Sequence, residues 1–277
     1  MSQPPSIKDV ESLTDWLAWM EAHHPRQIEL GLERVAAVAA RLTLDLSGAK
    51  IVTVGGTNGK GSCVAFLDAM LRAAGYRVGT YTSPHLLRYN ERVRIDGAMA
   101  SDSALCEAFA AVHAALGDTP LTYFEFGTLA ALWLFQRAQL DVIVLEVGLG
   151  GRLDAVNIVD ADVSILTTID LDHQDWLGPD RESIGAEKAG IFRAHKPAIC
   201  ADENPPQSVR AAAQKIHAQW YAVNDAFTFF ADEHSWAWRT ERLPRVADYD
   251  NLPLPGLPLP SAAAAIAALH CLPLAIT

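Results

Sequence analysis

A run of small residues wedged between a strand and a helix limits the fold more than any other feature. Ile51-Val52-Thr53-Val54 is a short β-branched run, the pattern of a buried strand. It ends in Gly55-Gly56-Thr57-Asn58-Gly59-Lys60-Gly61-Ser62. An apolar-periodic helix follows over residues 61–74, closed by Gly75. This order brings backbone N–H groups and the positive end of a helix to one place. Phosphate oxygens fit there, and Lys60 adds a full charge for the terminal phosphates. The nucleotide contacts expected from the loop are Thr57, Asn58, Gly59, Lys60, Gly61 and Ser62. The spacing departs from G-x-x-x-x-G-K-[ST]. One residue fewer precedes Gly59-Lys60, and Gly61 intrudes before Ser62. An ordinary P-loop kinase or GTPase is therefore a poor match. A glycine-rich turn without a ligand is the alternative, and the agreement of strand, glycines, lysine and helix argues against it.

The rest of the chain reads as one large α/β domain. Leu13, Trp16, Leu17 and Met20 recur at helical spacing, and a second helix is expected over residues 32–42. Strands are expected over 77–81, 91–95, 141–147, 163–168 and 197–200. Helices are expected over 101–116, 125–139, 181–189 and 207–219. Alternating strands and helices imply a mostly parallel sheet with helices on both faces. Residues 227–239 alternate aromatic and polar side chains, which suits small antiparallel strands at the sheet edge. Residues 251–260 carry four prolines and read as a connector, with a helix after it over 261–272. The expected organisation is an ATP-binding domain over residues 1–250 and a connector with its helix over 251–277.

Composition removes several function classes. The net charge of −11 lacks the basic footprint of a nucleic-acid binder. Cys63, Cys106, Cys200 and Cys271 are widely spaced, with no C-x-x-C pair for zinc or redox work. They read as reduced thiols. Residues 1–10 show no signal-peptide pattern, and no apolar run reaches membrane-spanning length. The expectation is a cytoplasmic protein with no membrane or nucleic-acid partner.

Other residues carry chemistry at strand ends. Glu146 closes the strand over 141–147, on the edge where open α/β sheets bind ligands. A carboxylate in such an apolar run is costly unless ion-paired or metal-bound. ATP brings Mg2+, which wants oxygen ligands. Ser83 before Pro84 reads on its own as a turn residue, His173 as a structural histidine and Lys188 as a solvated one. Tyr123 and Phe124 offer flat surfaces, for a ligand ring or for the core.

The stretch from Gly56 to Ser62 resembles the ATP loop of the dihydrofolate synthase/folylpolyglutamate synthase family, relatives of the Mur ligases. Matching blocks follow in order: Thr82 to Leu86, Asn90 to Arg92, Thr122 to Glu125, Glu146 to Asn157, Asp172-His173, Trp176 to Gly178, and Glu187 to Ile191. The resemblance spans about Trp16 to Leu269 and implies a P-loop, Mur-ligase-like central domain. It implies that Ser83, Glu146 and His173 lie around magnesium, with Lys188 carbamylated and helping to hold it. With Lys60, these residues except Ser83 form the implied catalytic set. It implies contacts to a pterin-bearing acid from Ala22, His23, His24 and Pro25, from Thr122, Tyr123, Phe124 and Glu125, and from Leu153, Asp154 and Ala155. Ser261 stands where related bacterial members have an asparagine near the nucleotide.

The implied activity is ATP-dependent addition of L-glutamate to dihydropteroate and to folates, through an acyl phosphate, by a monomer. The block around Thr122 looks like the bifunctional bacterial type. Family members carry a second, C-terminal α/β domain. The sequence stops at Thr277, so the expectation is an N-terminal domain with little ligase activity alone. Two rival readings are a Mur-type ligase acting on a UDP-sugar peptide precursor and a non-catalytic nucleotide-binding module.

Overall fold

The computed structural model describes residues 10–23 and 28–275. Its organising strand is β1 (Lys50–Gly55), which β5 (Val142–Glu146) and β6 (Val163–Leu166) flank in parallel. Outward from β5 come β2 (Val78–Tyr81), β3 (Val93–Ile95) and β4 (Ala98–Met99). Outward from β6 come β7 (Pro197–Cys200) and β8 (Gln219–Ala222). The eight-stranded sheet thus runs β4-β3-β2-β5-β1-β6-β7-β8. Only the β2–β3 and β3–β4 pairings are antiparallel, at one edge. From β1 the chain passes through α3 (Lys60–Ala73) to β2, and after β5 it crosses to β6 on the other side of β1. The reversal puts a topological switch point at the C-terminal end of β1, where a crevice forms.

The pleat sorts the strand residues between two cores. Ile51, Ile143 and Leu145 face one core, while Val52, Val54, Val142 and Val144 face the other. The first core lies under α1 (Leu13–His23), α2 (Glu33–Arg41), α4 (Asp102–Leu116) and α5 (Tyr123–Ala138). It also takes in α7 (Arg181–Ala189), behind the short α6 (Gln174–Leu177), and α8 (Gln207–Lys215). The second core lies under α3 and α9 (Leu259–Cys271). Alanines 262–265, 267 and 268 of α9 are buried, and such small side chains let α9 lie close against α3.

Three local expectations shift. The helix expected to reach Gln219 ends at Lys215, because His217 turns into a left-handed conformation with φ 55° and frees Gln219 for β8. The aromatic–polar stretch does form antiparallel strands, but they build a sheet of their own. β9 (Thr228–Ala231), β10 (Ser235–Thr240) and β11 (Ala247–Pro253) pair in the order β11-β10-β9. β8 already occupies the main sheet edge, and Trp238 of β10 instead donates its Nε1–H to the Ala263 carbonyl of α9 at 3.2 Å. The connector stretch begins inside β11, and the helix after it belongs to the second core. Among the described residues, no helix is long and apolar enough to cross a membrane.

Candidate functional site

The glycine loop lies at the switch point, as its sequence demands. Gly56 has φ 139°, and a Cβ there would stand 1.9 Å from Thr167 Oγ1, so only glycine fits. The residues after β6 brace the loop. Thr57 N–H donates to the Thr168 carbonyl at 2.6 Å, and Asn58 N–H to Thr168 Oγ1 at 3.1 Å. Thr167 Oγ1 donates to the Asn58 carbonyl at 2.7 Å. From the far core, Ser261 Oγ of α9 donates to the Gly59 carbonyl at 3.2 Å. Ser261 therefore meets the loop that was expected to hold nucleotide. Helix α3 starts at Lys60, so the N–H groups of Lys60, Gly61 and Ser62 have no acceptor within the helix. These are the donors an anion at this end would use.

Two lysines converge on one carbonyl. Lys60 Nζ donates to the carbonyls of Gly56 and Thr57, both at 3.1 Å. Lys188 Nζ donates to the same Gly56 carbonyl at 2.9 Å. Lys188 is only 3% exposed, unlike the solvated lysine its helix suggests. The glycines of the loop after β5 put it there. A Cβ on Gly151 would lie 2.8 Å from the Lys188 carbonyl, so α7 packs directly on that loop. Burial, and then the neighbouring Lys60 charge, bring the Lys188 ammonium down to about 8.

Glu146 ends β5 facing the first turn of α3, 5% exposed, with a Cβ on Gly61 lying 3.8 Å from its Oε1. Its Oε2 accepts the Ser83 N–H at 3.0 Å, and among the described residues nothing donates to Oε1. Burial raises its pKa, partly opposed by the Ser83 hydrogen bond and by Lys60 and Arg92. Among the described residues no cation pairs with it within ion-pair distance. Among the described residues, no group of three or more His, Cys, Asp or Glu side chains could form a metal cage. Mg2+ bound with a nucleotide takes one or two protein oxygens, phosphate oxygens and waters. Glu146 and Ser83 beside a helix N-terminus fit that sparse set.

Ser83 links this anion end to a cavity of about 290 Å3. Thr122, Phe124 and Glu125 from the start of α5 line it, with Leu153, Asp154 and Ala155 from the loop after β5. Ser83 and His173 complete the sequence-expected set, and Arg92, Ile28 and Glu29 join them. His173 caps α6 with φ 47° and lies 3.6 Å from Asp172. Asp154 is 2% exposed and accepts the N–H groups of Leu149 at 2.8 Å and Val156 at 3.0 Å. Burial nonetheless pushes its carboxyl up to about 6.

Some expected residues lie elsewhere. Tyr123 is not among those lining the cavity. Its ring meets Tyr89 at 5.9 Å and lies 5.8 Å from the Arg92 guanidinium. Ala22 is exposed on α1, away from the lining. His24, Pro25 and the side chain of His23 fall outside the described residues. Sequence reasoning missed the bracing Thr167 and Thr168, whose only signal is that they follow a strand parallel to β1. It also missed Arg34, which bonds Glu125 from α2.

Residues 54–245 match the Mur ligase middle domain. The chain belongs to the Mur ligase family. This Mur ligase chain is 52% identical over 258 residues to the dihydrofolate synthase/folylpolyglutamate synthase of Escherichia coli, covering 93% of this chain and 60% of that protein. It is 44% identical over 271 residues to the Haemophilus influenzae protein of the same name, covering 98% of this chain and 61% of that one. Among solved structures, E. coli FolC in complex with DHPP and ADP superposes with a TM-score of 0.93 at 50% identity, over 100% of this chain and 65% of that one. A bifunctional folylpolyglutamate synthase/dihydrofolate synthase with Mn, AMPPNP and L-glutamate bound gives a TM-score of 0.90 at 51% identity, over 99% and 65%. The Mur ligase chain spans about 60% of the length of these curated relatives.

Proposed function

We propose that this chain provides the nucleotide and acid sites of an ATP-dependent carboxylate–amine ligase that adds L-glutamate to dihydropteroate and to folates. One observation carries the reading: a cavity bearing Phe124, Thr122 and Asp154 adjoins the phosphate loop through Ser83. A flat ring fits against Phe124, and a few polar groups orient it. The acid end of such a substrate then lies toward the triphosphate. The relatives solved with DHPP, ADP, AMPPNP, Mn and L-glutamate support ATP, a divalent metal, a folate-type acid and glutamate as ligands.

In this reading the free N–H groups of α3 and Lys60 hold the phosphates. The substrate carboxylate oxygen attacks the γ-phosphorus, the bond to the β-phosphate oxygen breaks, and ADP leaves. The glutamate amine then attacks the acyl carbon, the carbon–oxygen bond breaks, and phosphate leaves with the amine proton released. Glu146 and Ser83 would hold Mg2+, which offsets charge when bound, with His173 and a carbamylated Lys188 around the metal site. The chain's own contribution is positioning: the braced loop and the cavity bring two anions together at a helix N-terminus. A depressed Lys188 supports carbamylation, since only a neutral amine combines with carbon dioxide.

Calorimetric titration tests the assignment. With an ATP analogue and Mg2+ present, dihydropteroate should bind saturably and a UDP-sugar peptide should not. The opposite preference would establish the cell-wall reading. Nucleotide binding with neither acid would favour the non-catalytic module.

A further inference from the structure

The acid cavity is fastened from behind by a side chain that the phosphate chemistry does not use. Arg34 sits in the first turn of α2, beside the buried Val35 and Val38. It is not among the residues lining the cavity. Its Nη2 donates to the Glu29 carbonyl at 2.9 Å and to Glu125 Oε1 at 3.0 Å. Its Nη1 bonds the Glu29 carboxylate. Glu29 and Glu125 both line the cavity, from stretches far apart in sequence.

Both oxygens of Glu125 are engaged within the protein. Oε1 takes Arg34, and Oε2 accepts the Thr122 N–H at 2.8 Å. Thr122 Oγ1 in turn accepts the Glu125 N–H at 3.2 Å, which closes a capping box at the start of α5. Glu125 therefore acts less as a hand reaching for a ligand than as a link. It ties the placement of Thr122 and Phe124 to Arg34. Through Glu29, the same guanidinium ties down the wall formed by Ile28, Glu29 and Leu30.

We infer that Arg34 is a positioning residue for the acid substrate, setting the spacing between the 28–30 wall and the N-terminus of α5. A guanidinium meets three acceptors at once through its rigid fork; an ammonium has no such plane. Without the guanidinium, the Glu29 and Glu125 carboxylates lose their common hydrogen-bond donor. Glu125, with a side chain 5% exposed, is then left buried and unpaired. The cavity widens on the side where a flat ring must be gripped, while the phosphate loop, braced by Thr167, Thr168 and Ser261, is untouched.

The inference rests on reading the cavity as the site of a pterin-bearing acid. The test uses Arg34→Lys and Arg34→Met, each titrated separately with dihydropteroate and with a non-hydrolysable ATP analogue in Mg2+ buffer. Arg34→Met should weaken dihydropteroate at least about tenfold, which is about 1.4 kcal/mol. Arg34→Lys should fall between it and the unchanged protein. Both variants should bind the ATP analogue within about twofold of the original, because the hydrogen bonds of Arg34 go to Glu29 and Glu125 and not to the phosphate loop. Arg34→Lys keeps the charge, so the comparison stands even if Arg34→Met does not fold. Dihydropteroate affinity unchanged in Arg34→Lys and in any folded Arg34→Met overturns the inference. So does an equal loss of both ligands with a fall in melting temperature, which marks a general structural role. Failure of the unchanged protein to bind dihydropteroate overturns the ligand assignment, and this inference with it.

Discussion

Replacing Gly56 by alanine should cost stability and nucleotide affinity together. The backbone there has φ 139°, a region where L side chains are strained by about 1–3 kcal/mol. The new methyl would lie 1.9 Å from Thr167 Oγ1 and 3.1 Å from the Thr167 backbone nitrogen. Thr167 must then rotate and release the Asn58 carbonyl it holds at 2.7 Å. Losing that hydrogen bond costs about another 1 kcal/mol. The sum is about 2–4 kcal/mol, read from urea unfolding curves. The Gly56 carbonyl also anchors Lys60 and Lys188, so affinity for an ATP analogue should fall more than about tenfold. Gly56→Ala combined with Thr167→Ala removes the Oγ1 contact but keeps the backbone strain, and both changes break the same Asn58 hydrogen bond. The double variant should therefore cost less than the sum of the two single ones, by about 1 kcal/mol in a double-mutant cycle. The reasoning is refuted if Gly56→Ala alone lies within about 0.5 kcal/mol of the original with unchanged nucleotide affinity.

Two further outcomes follow from the same loop. Ser261→Ala removes the donor to the Gly59 carbonyl, and should cost about 1 kcal/mol in unfolding and weaken the ATP analogue a few-fold in calorimetry. Lys188, held down to about 8, carries roughly a tenth of its amine neutral at pH 7, where an ordinary lysine carries almost none. Because its folded value is depressed, the neutral form grows as pH rises through 8. In bicarbonate, native mass spectrometry should show one added carbon dioxide, increasing from about pH 6.5 to about pH 8.5 and absent in Lys188→Met. A free amine at the higher pH counts against it.

The sequence carried the local features well and the long-range ones poorly. The loop from Gly55 to Ser62 declares itself because strand, glycines, lysine and helix are contiguous. Helix 181–189 and strand 197–200 match their expected bounds, since each has clear punctuation at both ends. Lys188 is different. Judged by its own helix it is a solvated cation. Its burial comes from Gly151 and Gly56, which are distant in sequence. Arg34 reads as an ordinary polar position on an amphipathic helix, because its partner Glu125 is 91 residues away. Thr122 and Asp154 entered the candidate site through the family resemblance rather than through periodicity, and Glu146 also through its place at a strand end. Nothing in the local pattern around Gln219 signals β8. The helical period runs on until His217 adopts a positive φ.

The most direct test of the central claim is a crystal structure of the chain with an ATP analogue, Mg2+ and dihydropteroate. The account predicts phosphates on the N–H groups of Lys60, Gly61 and Ser62, and metal beside Glu146. It places the pterin ring against Phe124 in the cavity, with its acid end toward the γ-phosphate. Nucleotide in the loop with the acid bound outside the Thr122–Asp154 cavity would contradict it.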